Sequence, residues 1–213
     1  MTTLASSSFT CPICNHTFTD TVIMSTNNFG GVETDFRNHA VGFDPLPHYV
    51  HQCPECYFSM MGNSFPASDD LKEYVLSKEI FEGMSQDVLR ETSTKYEIYG
   101  RALAFNQNPD EQVGWAYLRA SWMARSERNR DNEKRLQLLA VKYFEKTFNE
   151  RTLNNPEDYV HIKFLIGELY RRVESFSKAI EWFSQVGEPR EEIAQRQLAL
   201  AEQEDSSPTF FNR

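Results

Sequence analysis

From Ser68 to Glu204 apolar residues return every three or four positions, the period of an amphipathic helix. Before Ser68 that period is absent. Seven helices follow from the pattern and its caps. Ser68-Asp69-Asp70 caps a first helix carrying Leu71, Tyr74 and Val75 and ending near Gly83. Ser85 caps a second, with the stripe Leu89, Tyr96, Tyr99 and Leu103. Asn108-Pro109-Asp110-Glu111 offers a cap, a first-turn proline and an early acid to a third. That helix is apolar on two faces, Val113/Ala116/Tyr117/Ala120 and Trp115/Leu118/Trp122, which places it between neighbours. A fourth lies between Asp131 and Arg151. Asn155-Pro156-Glu157-Asp158 repeats the start signal and opens a fifth, with Tyr159, Ile162, Ile166, Leu169, Tyr170 and Val173. Ser175 to Val186 and Pro189 to Glu204 form the sixth and seventh, and residues 206–213 a mobile tail containing Phe210-Phe211.

Residues 1–66 read differently. Phe18 to Met24 is rich in β-prone residues, and Tyr49 to Gln52 leads a second strand. Asn28-Phe29-Gly30-Gly31 and Asp44-Pro45-Leu46-Pro47 read as turns. Between them Thr34-Asp35-Phe36-Arg37-Asn38-His39 is expected to fold back over this front unit. The organisation is thus a small front unit (1–66), a helical unit (67–205) and the tail, an α+β chain.

The chemistry of the front unit lies in its cysteines. All four in the protein stand in two clips, Cys11-Pro12-Ile13-Cys14 and Cys53-Pro54-Glu55-Cys56. Two residues between thiols let both sulfurs of a tight turn face one ion. Two such turns close a tetrahedral site of the kind Zn²⁺ favours. The expected cofactor is therefore a structural Zn²⁺ on Cys11, Cys14, Cys53 and Cys56, the centre of a zinc ribbon. A catalytic zinc would keep one position open for water.

Charge narrows the function classes. The chain carries a formal charge of −9 over 213 residues. Residues 1–66 hold five acids, Asp20, Glu33, Asp35, Asp44 and Glu55, against the single base Arg37. Phosphate binding needs clustered Lys and Arg, so no nucleic-acid contact is expected of the ribbon. Nor is a membrane contact expected: the chain has no apolar run of about 18 residues. Met1 to Phe9 has neither basic residue nor apolar core, so no signal peptide is expected there. Paired cysteines used as ligands point to a reducing cytoplasm.

Two resemblances add to this reading. Gly167 and Tyr170, followed by Ala179 and Phe183, have the spacing of small and large packing positions in a tetratricopeptide repeat, so residues 160–193 resemble one. Lys163 stands where the repeat has tryptophan, and Pro189 precedes the usual terminal proline. Ala140 and Phe144 share the Ala179/Phe183 spacing, so the third and fourth helices resemble a stretched copy. The chain also resembles a bacterial family of uncharacterised proteins, a domain of unknown function. The matching residues are Cys11-Pro12-x-Cys14 with Phe18, then Asp35-Phe36-Arg37, Pro45-Leu46, Tyr49 and Cys53-Pro54-x-Cys56-Tyr57. That resemblance implies a ribbon ahead of repeat-like helices and no reaction. Asn15 and Tyr57 occupy positions where such ribbons often have glycine.

The functional expectation is a non-catalytic cytoplasmic adaptor holding a protein or peptide partner, with a homo-oligomer compatible with the sequence. On the repeat's spacing, packing uses Ile166, Gly167, Tyr170 and Ala179 and leaves His161, Phe164, Glu168 and Arg171 on an open groove. Phe164→Ala with Arg171→Glu is then expected to remove partner capture without loss of stability. The competing occupant is the seventh helix or the tail, through Phe210 and Phe211, filling the groove within the chain or in a dimer. Alternative classes are a zinc-ribbon nucleic-acid or transcription-associated factor and a metal-dependent enzyme of unknown reaction using Asp35, Arg37 and the histidines His16, His39, His48 and His51. The more ordinary role of Asp35 and Arg37 is to tie their loop to the ribbon by a charge-assisted bond.

Overall fold

The computed structural model describes residues 2–211. Strands β1 (Thr3–Thr10) and β2 (Thr17–Ser25) form one antiparallel hairpin, with Phe9 opposite Phe18. Strands β3 (Val50–Gln52) and β4 (Ser59–Met61) form a second, with His51 opposite Met60. A cysteine clip makes the turn of each. The reading anticipated β2 and β3; β1 was not anticipated, because Ala5-Ser6-Ser7-Ser8 lacks β-branched and aromatic residues. Only Phe9 of that strand is buried, between Phe18 and the His51 ring.

Seven α-helices follow: α1 (Asp69–Leu76), α2 (Thr92–Phe105), α3 (Asp110–Ser126), α4 (Arg130–Glu150), α5 (Pro156–Arg172), α6 (Phe176–Phe183) and α7 (Glu191–Glu202). The first stops at Leu76, and short 3₁₀ turns lead to α2, which begins beyond the expected Ser85 cap. From α2 onward each helix packs on its neighbours in sequence, the arrangement of a stacked helical array. As its two apolar faces demand, α3 lies between α2 and α4. The starts are chemically marked. Ser68 accepts a bond from Leu71 N–H, and Asn155 accepts one from Glu157 N–H with Pro156 at the first helical position.

Close approach in the array depends on two glycines. A Cβ on Gly167 would lie 2.9 Å from the Phe183 ring, and one on Gly114 only 2.7 Å from the Phe144 ring. The pairs α5/α6 and α3/α4 are thus joined in the same way, by a buried phenylalanine seated on a glycine. Of these residues, Gly114 was not singled out by the sequence pattern. The ribbon packs on the array through α2, which contacts β3 and β4, and Tyr96 O–H donates to the Leu46 carbonyl at 2.7 Å.

Candidate functional site

The two clips fold identically. Cys11 N–H bonds the His16 carbonyl and Asn15 N–H bonds the Cys11 carbonyl; Cys53 and Tyr57 make the matching pair with Phe58 and Cys53. Closing such a turn requires a left-handed residue after the second cysteine. Asn15 (φ 60°) and Tyr57 (φ 59°) take that conformation where glycine is the easier choice. The result brings Cys11, Cys14, Cys53 and Cys56 together, with all four sulfurs within 4.8 Å of one another. Cys11 and Cys56 approach to 3.5 Å, and Cys14 and Cys53 to 3.6 Å. A tetrahedron of thiolates around an ion at about 2.3 Å has edges of about 3.8 Å, so the set fits a four-coordinate metal ion. Protons are shared within the cluster: a hydrogen bond from Cys56 brings Cys11 down to about 5 and pushes Cys56 up, while burial raises Cys53 to about 11. The four cysteines are free of disulfides.

The insertion does not fold over the ribbon. It is driven into the array, where its charges meet the ends of α3, α4 and α5. Glu33 and Asp35 both bind the Arg125 guanidinium, whose Nε also donates to Glu133 at 2.7 Å. Arg172 bonds Glu133 at 3.2 Å and lies 3.8 Å from Glu33 and 4.0 Å from Asp35. Burial alone would raise the Asp35 carboxyl, but Arg125 and Arg172 outweigh it and hold the group below its ordinary value. Arg37 donates to the Trp122 carbonyl, Ser126 and Asp44, and so ties the loop to α3 rather than to the ribbon.

Of the four candidate histidines, His39, His48 and His51 have a side-chain neighbour, while His16 contributes its backbone carbonyl to the first clip. His39 pairs with Glu33 at 2.7 Å; His51 pairs with Asp20 at 3.0 Å and stacks on Phe9. His48 rests against the Phe43 ring. His39 alone joins the network of Asp35, through Glu33 and Arg125, whereas the partners of His51 and His48 are Asp20 and Phe43.

The face of α5 expected to be open is covered. His161 is half-buried and Phe164, Glu168 and Arg171 are fully buried. The insertion and the chain's own tail cover this face: Phe36 meets His161 and Phe164, Thr34 bonds Glu168, and the tail lies along Phe164 and Arg171. Asn212 and Arg213 lie outside the described residues. The described part of the tail is held at every step rather than mobile. Arg171, fixed by Glu168, donates to the Ser207 carbonyl at 2.9 Å. Thr34 N–H bonds the Thr209 carbonyl, Phe211 N–H bonds the Val32 carbonyl, and Glu33 and Phe210 form an antiparallel bridge. The Phe211 ring lies 5.3 Å from Phe36 and 5.7 Å from Phe164, with the Arg190 guanidinium 4.8 Å above it. Phe164→Ala with Arg171→Glu is therefore not a surface probe. It removes a core ring and breaks a buried ion pair, each a loss of about 3–5 kcal/mol.

The sequence from residue 4 to 205 matches a family described as "Uncharacterized protein conserved in bacteria (DUF2225)". The chain belongs to this family. No curated protein and no solved structure matches it. Family membership brings no reaction with it. Among the described residues no helix is long and apolar enough to cross a membrane.

Proposed function

We propose that the chain is a non-catalytic cytoplasmic interaction protein, with a ribbon closed by a structural Zn²⁺ and a tetratricopeptide-like array that holds an extended peptide. The observation that carries the reading is the tail itself. It lies as a bound peptide would: extended, paired along its backbone, with Phe211 as the apolar anchor between Phe36 and Phe164. The groove is therefore built to hold such a segment, and the tail is its resident occupant. Four thiols close the metal site and leave no position for substrate, which favours a structural ion. Among the candidates for catalysis, Asp35, Arg37 and His39 make ion pairs and hydrogen bonds that hold the insertion, which supports a non-catalytic reading.

Partner capture from bacterial lysate by the full chain, compared with a tail-releasing Phe210→Ser/Phe211→Ser variant, tests this reading. Release should increase capture, and a synthetic peptide of residues 205–213 should displace what is captured. Capture that responds to neither would contradict it.

A further inference from the structure

A second concavity lies on the other side of Phe36. Between the insertion and α3 lies an open cavity of about 950 Å³, the size of a pocket for a small organic molecule. Trp115, Arg119 and Trp122 stand at intervals of four and three on α3, so one helical stripe forms its wall. Phe36, Leu46 and Tyr49 form the opposite side. Three aromatic side chains besides Trp115 thus line the space, together with polar Asn27 and Asn28.

Two groups on this wall lack partners that their equivalents have. Arg37, Arg125, Arg171 and Arg172 each meet a carboxylate, whereas Arg119 has no carboxylate or hydrogen-bond acceptor among the described residues. In a chain with 31 acids to 22 bases, a half-buried arginine without an acid is a local choice, not a shortage. Trp115 Nε1–H is satisfied by Glu111 at 3.2 Å. Trp122 is only 6% exposed, and its Nε1–H is buried with no acceptor. A buried donor left unmade is costly, about 1–3 kcal/mol.

We propose that this cavity binds a small organic anion with a flat apolar body, stacked among the aromatic walls with its carboxylate or sulfonate on Arg119. An aromatic box alone would equally suit a cation. The guanidinium in its wall repels one, and attracts an anion through charge-assisted hydrogen bonds. The signal in the sequence was the single charge, Arg119, interrupting the Trp115/Leu118/Trp122 face. The proposal is independent of what occupies the tail groove.

The probes are 1-anilinonaphthalene-8-sulfonate and its uncharged analogue N-phenyl-1-naphthylamine, titrated by fluorescence into the full chain. Wild type should bind the sulfonate saturably at one site. Arg119→Gln should weaken the sulfonate by about tenfold and the neutral probe by less than about twofold. Ala40→Trp, which fills the cavity from its rim, should abolish both, with helix content by circular dichroism unchanged in every variant. Should Ala40→Trp lower helix content, Asn38→Trp takes its place, since Asn38 lines the cavity from an exposed position. Sulfonate binding that survives the filled cavity, or that ignores Arg119→Gln, overturns the proposal. So does an equal loss of both probes in Arg119→Gln, because charge would then play no part.

Discussion

Phe36 sits at φ 66°, a left-handed conformation that costs a bulky residue on the order of 1 kcal/mol or more, and it is held there by its neighbours. Its N–H bonds the Glu33 carbonyl, and Glu33 N–H bonds the Arg37 carbonyl, so the turn is closed on both sides. The charges that lock this turn explain its stability and predict its pH dependence. Because Arg125 and Arg172 keep the Asp35 carboxyl below its ordinary value, its contribution is complete above the unfolded carboxyl range, about pH 4. It is lost as pH falls through the lowered folded value. Asp35→Asn leaves two buried arginines short of a charge and should cost about 3–5 kcal/mol at neutral pH. Urea unfolding followed against pH should show a shallower acid limb in that variant; an unchanged limb would mean that Asp35 is not the linked group. This clamp was not legible in the sequence, since Arg125 stands 90 residues from Asp35. The cysteines were, because each clip carries its geometry in its own four residues.

At the scale of elements, the start of α2 at Thr92 rather than near Ser85 and the end of α1 at Leu76 rather than near Gly83 were missed, while the ends of α4, α5 and α7 fell within two residues of expectation. Ser68 and Asn155 cap their helices through side chains that the sequence displays. The ends of α2, α3, α4, α5 and α7 share one motif. A left-handed residue (Gln107, Arg128, Arg151, Glu174, Glu204) follows each, and the next N–H reaches back to the last turn, as from Thr152 to Thr147. None of the five is glycine, so the usual stop signal is missing. Replacing exposed Arg151 by glycine should therefore stabilise the chain by about 0.5–1 kcal/mol, the left-handed strain outweighing glycine's entropy. The opposite sign is expected at the helix crossings. Gly167→Ala drives a methyl to within 2.9 Å of the fully buried Phe183 ring and should cost about 1–3 kcal/mol. Denaturant midpoints for the two variants check both signs; a neutral Gly167→Ala would show that α5 and α6 can separate freely.

Over the whole molecule, ribbon, insertion, array and tail are joined by different forces. The first hairpin is largely exposed and the second has strands of only three residues, too little core to stand without the thiol cluster between their turns. The insertion is held from α3 and by the tail, independently of the metal. Chelation, or Cys53→Ser, should therefore free the amides of Cys11 and Cys53 to exchange with deuterium while those of Glu33 and Phe36 stay protected. Protection lost everywhere at once would mean that the ion supports the entire fold. Elemental analysis of protein purified without chelator should give one zinc per chain. The central claim is that the α5 groove is a peptide site held by the chain's own tail, and calorimetric titration tests it most directly. A chain ending at Glu204, still helical, would be titrated with a synthetic peptide of residues 205–213. The account predicts one-to-one binding with a Kd on the order of micromolar, weakened at least about tenfold by Phe211→Ala in the peptide. Absence of binding by that folded, tail-less chain would contradict it.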